Sequence, residues 1–146
     1  MLTIAQGTPR ASAIDGPQTL TFSEPFTAHD PHYKYVDLGK KGMSRGDLII
    51  HTNSPGIDAR TGRRIATSDG IQTILSLRRP GAVAVSDTIY LPDGQVQVAG
   101  TVRYGGHTSA LAVTGGTGRY RNARGQVTIT EDIKHKRNLG TLTILP

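Results

Sequence analysis

The chain has 146 residues, 36% of them hydrophobic and 5% aromatic, with 18 glycines and a formal net charge of +6. That length suits one domain burying about 68–70% of the surface of its unfolded chain. With no cysteine, a disulfide framework and a thiolate zinc site are excluded, and with no run of ~20 apolar residues so is a membrane-spanning helix.

Residues 1–16 mix Gly, Pro, Ser and Ala without periodicity and read as a flexible N-terminal arm that orders only against a partner subunit. They lack a basic segment followed by an apolar stretch, so a cytoplasmic location is expected. Residues 17–146 read as a single domain. Thr, Val and Ile dominate its apolar alternations, which favours strands joined by tight turns. The first strand covers 18–27, with Pro25 marking an edge, a bulge or a strand end. The polar segment 28–46, with a central YKYV, reads as a loop crossing one end of a barrel. A strand over 47–53 is followed by a Pro-Gly and Thr-Gly connecting loop, 54–62. A long strand over 64–77 has its apolar registers separated at Asp69-Gly70, where a kink is expected. Strands 82–91 and 95–104 flank a Pro92-Asp93-Gly94 hairpin turn. Then come a strand over 109–114, a glycine-dense turn over 115–125, and strands over 126–133 and 139–145. Eight strands with short connections predict an all-β fold, an eight-stranded antiparallel β-barrel with a central hydrophobic cavity. Closure would also remove the exposed edges of an open sheet.

Arginine supplies 12 of the 17 basic residues, but they fall in separated groups near turns. Two Phe, five Tyr and no Trp leave few platforms for base stacking, so no nucleic-acid partner is expected. GGTG at 115–118 superficially resembles a phosphate cradle. Strand alternation resumes within a few residues, leaving no room for the helix such a cradle requires. No histidine spacing of the H-x-H or H-x-x-x-H kind occurs, and no metal is expected.

Three segments carry a resemblance. GDLIIHTN (46–53), with Asp47, Thr52 and Asn53, is similar to the GDL-x-x-x-TN strand of plant allene oxide cyclases. TGRRIATSDGIQTIL (61–75) is similar to the strand that follows it there. LAVTGGTGRYRNARGQV (111–127) matches the GGTG-x-[YF]-x-x-A-x-G turn shared with dirigent proteins. The chain thus resembles the allene oxide cyclase barrel family over 46–127, with the N-terminal third only loosely alignable. That resemblance implies an oligomeric eight-stranded barrel, a dimer or trimer, whose lumen folds a reactive polyunsaturated substrate. In the plant enzymes a glutamate delocalises charge as an allylic epoxide opens, and asparagines with a water hold the oxygen. Bacterial relatives are associated with cyclisations, cycloadditions among them.

Carried over residue by residue, the resemblance makes Asn53, inside the TN motif, Glu24 and Gln72 the expected catalytic or polarising residues. Gln72 stands where the plant pattern has cysteine, which argues against the plant fatty-acid epoxide as substrate. Strand alternation places Ile49 and His51 on the face of Asn53. These two, with Ile74, Tyr90, Val98 and Pro31, are the expected substrate-binding residues; Pro31 lies at the spacing of a cavity proline. Asp69, Asp87 and Arg103 fall within strand patterns and would form a polar cluster with Glu24 if all faced inward, but parity alone does not decide their faces. The expected function is a cofactor-independent cyclase or isomerase acting on a hydrophobic polyunsaturated or epoxide-bearing intermediate of specialised metabolism. The alternative is a non-catalytic, dirigent-like or carrier barrel that binds a hydrophobic small molecule.

Overall fold

The computed structural model of the chain describes residues 12–25 and 29–146. The described residues form an all-β structure with one 3-10 turn, Ile133–His135. The strands are β1 (Gln18–Pro25), β2 (Tyr33–Val36), β3 (Leu48–Asp58), β4 (Arg64–Ser76), β5 (Ala82–Leu91), β6 (Gly94–Arg103), β7 (Thr108–Gly118), β8 (Arg124–Asp132) and β9 (Arg137–Leu145). Their order is β1-β9-β8-β7-β6-β5-β4-β3-β2, every pairing antiparallel. Phe22 and Ser23 of β1 also pair with Asp58 and Ile57 of β3, and this contact closes eight strands into a barrel. Strand β2 is a ninth, pairing with the first half of β3 from Tyr33↔His51 to Val36↔Leu48. Among the described residues no helix is long and apolar enough to cross a membrane.

Alternation sends one face of each strand into the lumen. On β5 the inward set is Val83, Val85, Asp87, Ile89 and Leu91, and on β6 it is Val96, Val98, Val102 and, just beyond the strand, Tyr104. The hairpin between them closes at Leu91↔Gly94, with Asp93 at φ 70° taking the left-handed position of the turn. We call this end of the barrel the lower end. Here Val96 and Ile144 are fully buried, and Ile14, Tyr120 and Ala123 pack around them. Of the expected arm, residues 1–11 lie outside the described residues, whereas Ile14 is part of the core.

Four local readings differ from the sequence-based expectation. YKYV is a strand, not loop: Tyr33 and Tyr35 pair across from His51 and Ile49, extending the wall. Residues 54–58 continue β3 rather than forming the connecting loop. A bulge between His51 and Ser54 absorbs the irregularity, and Pro55 falls between the pairings to β2 and β1, where β3 has a neighbour on one side only. The glycines at 115–118 extend β7 and pair with β6 after a bulge opposite Gln97/Val98; the turn proper is 119–123. A Cβ at Gly116 would overlap the Tyr120 and Gln95 carbonyl oxygens, so that glycine serves the close approach of Tyr120, whose hydroxyl donates to the Pro92 carbonyl at 3.3 Å. Lastly, β4 runs in register through Gly70, paired with His51 on one side and Asp87 on the other. Its role is space rather than a kink, since a Cβ there would overlap the Asp87 carboxyl and the His51 ring.

Candidate functional site

The lumen holds two adjoining chambers. The first lies in the middle of the barrel and is partly open to solvent. Leu20 and Phe22 of β1, Ile89 and Leu91 of β5, Val98 of β6, Leu111, Val127, Ile129 and Leu142 make it apolar. The second, toward the upper end, is polar: Gln72, Tyr104, His107, Glu131 and Asn138 line it together with Val85 and Val102. Glu24, Asp87 and Ile129 border both, so two carboxyls stand where an apolar space meets a polar one. Among the described residues they are the only titratable ones lining the apolar chamber.

Burial pushes the Glu24 carboxyl above the usual carboxylate range, and the hydrogen bond it accepts from the Ser68 hydroxyl, at 3.1 Å, opposes this only in part. Asp87 is pushed up to about 7, by burial first and by the charge of Glu24 second. Two neighbouring acids in so dry a place do not both ionise readily, and near neutral pH the pair retains a proton it can donate. Behind Asp87 lies His51, only 1% exposed, stacked on Tyr33 with ring centroids 5.3 Å apart. Burial lowers the His51 pKa, so the ring is neutral, and its Nε2 is 3.8 Å from Asp87 Oδ1, beyond hydrogen-bond reach. Both His51 ring nitrogens, Ser54 Oγ and Asp87 Oδ1 are buried without a protein partner. Buried polar atoms are normally satisfied, so this concentration marks the site.

The expected site residues separate into those the lumen gathers and those it does not. Glu24 borders both chambers, Gln72 lines the upper one and accepts a hydrogen bond from the Tyr104 hydroxyl at 3.1 Å, and Val98 lines the apolar one. His51 is buried beside Asp87. Ile49 faces Gln72 across the β3–β4 ladder, and Ile74 is buried in the core; neither lines a chamber. Asn53 is a correction. The bulge after His51 breaks the parity, and Asn53 stands exposed with φ 53°, accepting from Arg64 Nη2 at 2.8 Å while its N–H donates to Asp69 Oδ1 at 2.6 Å. Asparagine tolerates this left-handed backbone, so the TN motif shapes the bulge. Tyr90 is 40% exposed on the outer wall, its hydroxyl donating to Asp69 Oδ2 at 3.1 Å, and Pro31 is exposed in the turn before β2; neither lines a chamber. The GDL motif also has a structural task. The fully buried Asp47 accepts hydrogen bonds from the Tyr35 hydroxyl and from the Leu38 and Ser44 N–H groups, pinning segment 37–47 against β3; the Tyr35 bond holds its carboxyl below the ordinary range.

Asp87, which the sequence placed beside Glu24 only if it faced inward, does face inward, and Ser68, Tyr33, Tyr104, Glu131 and Asn138 complete the site without having been expected there. For Asp87 the signal was present: it shares its parity with Val83, Val85, Ile89 and Leu91. Among the described residues no group of three or more His, Asp or Glu side chains is placed to hold a metal ion.

In backbone shape the chain is similar to the pterocarpan synthase dirigent protein PsPTS1, with a TM-score of 0.72 and 16% identity over 90% of this chain and 96% of that one. It is similar to a pyocyanin demethylase, with a TM-score of 0.65 and 21% identity over 88% and 98%. A third likeness is to the Diels Alderase AbmU from Streptomyces koyangensis, with a TM-score of 0.68 and 21% identity over 88% of this chain and 63% of that one, less than two thirds of its length. At these identities the likeness is one of fold. No curated protein sequence matches the chain. The model of the allene oxide cyclase barrel like domain matches residues 29–144. This match, with the closed barrel and its lumenal chambers, shows that the chain belongs to the allene oxide cyclase barrel like family.

Proposed function

We propose that the chain is a cofactor-independent cyclase or isomerase that folds a hydrophobic polyunsaturated or epoxide-bearing intermediate inside the barrel and closes a ring in it. The observation that carries this reading is the placement of two carboxyls, Glu24 and Asp87, whose pKa values burial raises, on the border of a mainly apolar chamber. The apolar walls hold a flexible chain in a compact conformer, and orientation alone contributes up to ~7–11 kcal/mol in ideal intramolecular reactions. The carboxyl pair then acts on the guest's oxygen. With an epoxide, the proton passes to the oxygen as the C–O bonding pair moves onto it, the cation left on the polyene is attacked by its own double bond, and loss of a proton to the carboxylate restores the pair. With a conjugated carbonyl and a diene, the O–H only donates a hydrogen bond, and no atom is transferred. Neither route requires an oxidant or reductant, because substrate and product are isomers.

The test is incubation of the purified protein with polyunsaturated vinyl epoxides and diene-bearing enones, following ring closure and its stereochemistry against buffer. Asp87→Asn should lower the accelerated rate by about 10²–10⁴-fold, the usual worth of a positioned acid. Binding without any change in the guest's spontaneous chemistry would sink the reading and favour the carrier alternative. A homo-oligomer is likewise proposed: Ile71 and Leu75 of β4 and Leu77 just beyond it leave an apolar outer strip, 47%, 42% and 53% exposed, that a second copy would cover.

A further inference from the structure

Among the described residues, none that lines the two chambers is lysine or arginine, although the chain carries 17 of them and a net charge of +6. The acidic side chains are distributed the other way, with Glu24, Asp87 and Glu131 all facing the lumen. Beside the His107 ring, the upper chamber is therefore rich in acceptor oxygens: three carboxyls and the carbonyl oxygens of Gln72 and Asn138. Tyr104, the phenol on its wall, already donates to Gln72, and Glu131 draws in only the Gly105 and Gly106 N–H groups at the rim. A second observation points the same way. Asp87 Oδ1 is a buried oxygen with no protein partner, and one proton kept by the Glu24–Asp87 pair still leaves carboxyl oxygens without a donor. Leaving such an atom unmatched is costly, and what it lacks is a donor.

We infer that the guest lies with its apolar body in the middle chamber and presents to the upper chamber a hydrogen-bond-donating end, such as an alcohol, an amide N–H or an ammonium group, and never a carboxylate or phosphate. An anionic end would meet the carboxyls of Glu24, Asp87 and Glu131, with no lysine or arginine among the described lining residues and only the His107 ring and the Asn138 amide to donate to it, in a setting where charges are weakly screened. A donor end meets the more numerous carboxyl and amide oxygens. The inference rests on the reading of the lumen as the ligand site, but it concerns the guest's polarity and is independent of whether a ring is closed.

The experiment is displacement of a neutral fluorophore, N-phenyl-1-naphthylamine, by decylamine, decanol and decanoate, which share one apolar chain and differ only at the head. At about pH 8 and about 0.15 M salt, exposed charges are screened beyond ~8 Å. The outside of the protein, being basic, attracts decanoate, so any preference against it must arise in the lumen. Decylamine and decanol should displace the probe at least ~10-fold more tightly than decanoate, equivalent to about 1.4 kcal/mol or more. Glu131→Gln, which keeps an oxygen for the two glycine N–H groups, should narrow the gap between decylamine and decanoate while moving decanol by less than about twofold. Decanoate matching decylamine, or a gap insensitive to Glu131→Gln, would overturn the inference while leaving ring closure untouched. Failure of the probe to bind, or of all three decyl compounds to displace it, would overturn the lumen as ligand site and the inference with it.

Discussion

The two ends of this barrel are made by the same strands with the same alternation, yet they are built to opposite rules. At the lower end Val96 and Ile144 are fully buried, Tyr120 folds back over Gly116 to reach the Pro92 carbonyl, and Ile14, just before β1, is buried in the same core cluster. Toward the upper end the inward positions become Glu24, His51, Asp87, Gln72 and Glu131, and the lumen widens into chambers. Of the five buried side-chain atoms without a partner among the described residues, four belong to His51, Ser54 and Asp87 and one to Arg119. The contrast teaches where each kind of free energy is kept: packing at one end stabilises the fold, which lets the other end hold polar groups in a condition that stability alone would not favour.

The largest stability effect should come from the packed end. Ile144→Ala removes a side chain with no exposure and should cost about 2–5 kcal/mol in chemical unfolding, while the relative binding of guests in the upper chamber stays as it is. A loss below about 1 kcal/mol would show that the lower end is not the packed region described.

The polar end should behave in the reverse way. Asp87 has a folded pKa raised to about 7 from an ordinary 3.8, so the folded state binds its proton more tightly than the unfolded chain does. The stability this contributes is whole below about pH 4 and is lost as pH rises through about 7. Asp87→Asn should therefore flatten the stability curve between about pH 4 and pH 7 and leave the variant at least as stable as the parent at about pH 8. Urea midpoints at several pH values decide this, and an unchanged slope would mean that Asp87 is not buried as a neutral acid.

The smallest effect belongs to the outer wall. Asn53→Gly relieves a left-handed non-glycine residue and loses one exposed hydrogen bond to Arg64, so stability should move by less than about 0.5 kcal/mol with ring closure unaffected. Tyr90→Phe should be equally mild. A large loss of turnover in Asn53→Gly would return the TN motif to the reacting centre.

Much of the barrel was legible in the chain. The β5–β6 hairpin follows from Val83, Val85, Ile89 and Leu91 alternating up to Pro92-Asp93, and from Val96, Val98 and Val102 alternating back. The family likeness was legible in GDL, TN and GGTG. Of the expected site residues, Glu24 and Gln72 line the lumen and His51 is buried beside Asp87, whose own parity is that of its apolar neighbours.

What the sequence by itself determined is the alternation of each strand and hence the kind of fold, because a period of two with turn residues between is a local property. Which residues meet in the lumen was decided only by the tertiary structure. One bulge after His51 turned Asn53 outward and Ser54 inward, and a one-residue shift in a strand exchanges its faces. Likewise only closure brings Glu24 of β1 together with Asp87 of β5 and leaves Gly70 beside His51 and Asp87. No local pattern records a juxtaposition between strands so far apart in the chain, because it depends on the register of every ladder around the barrel.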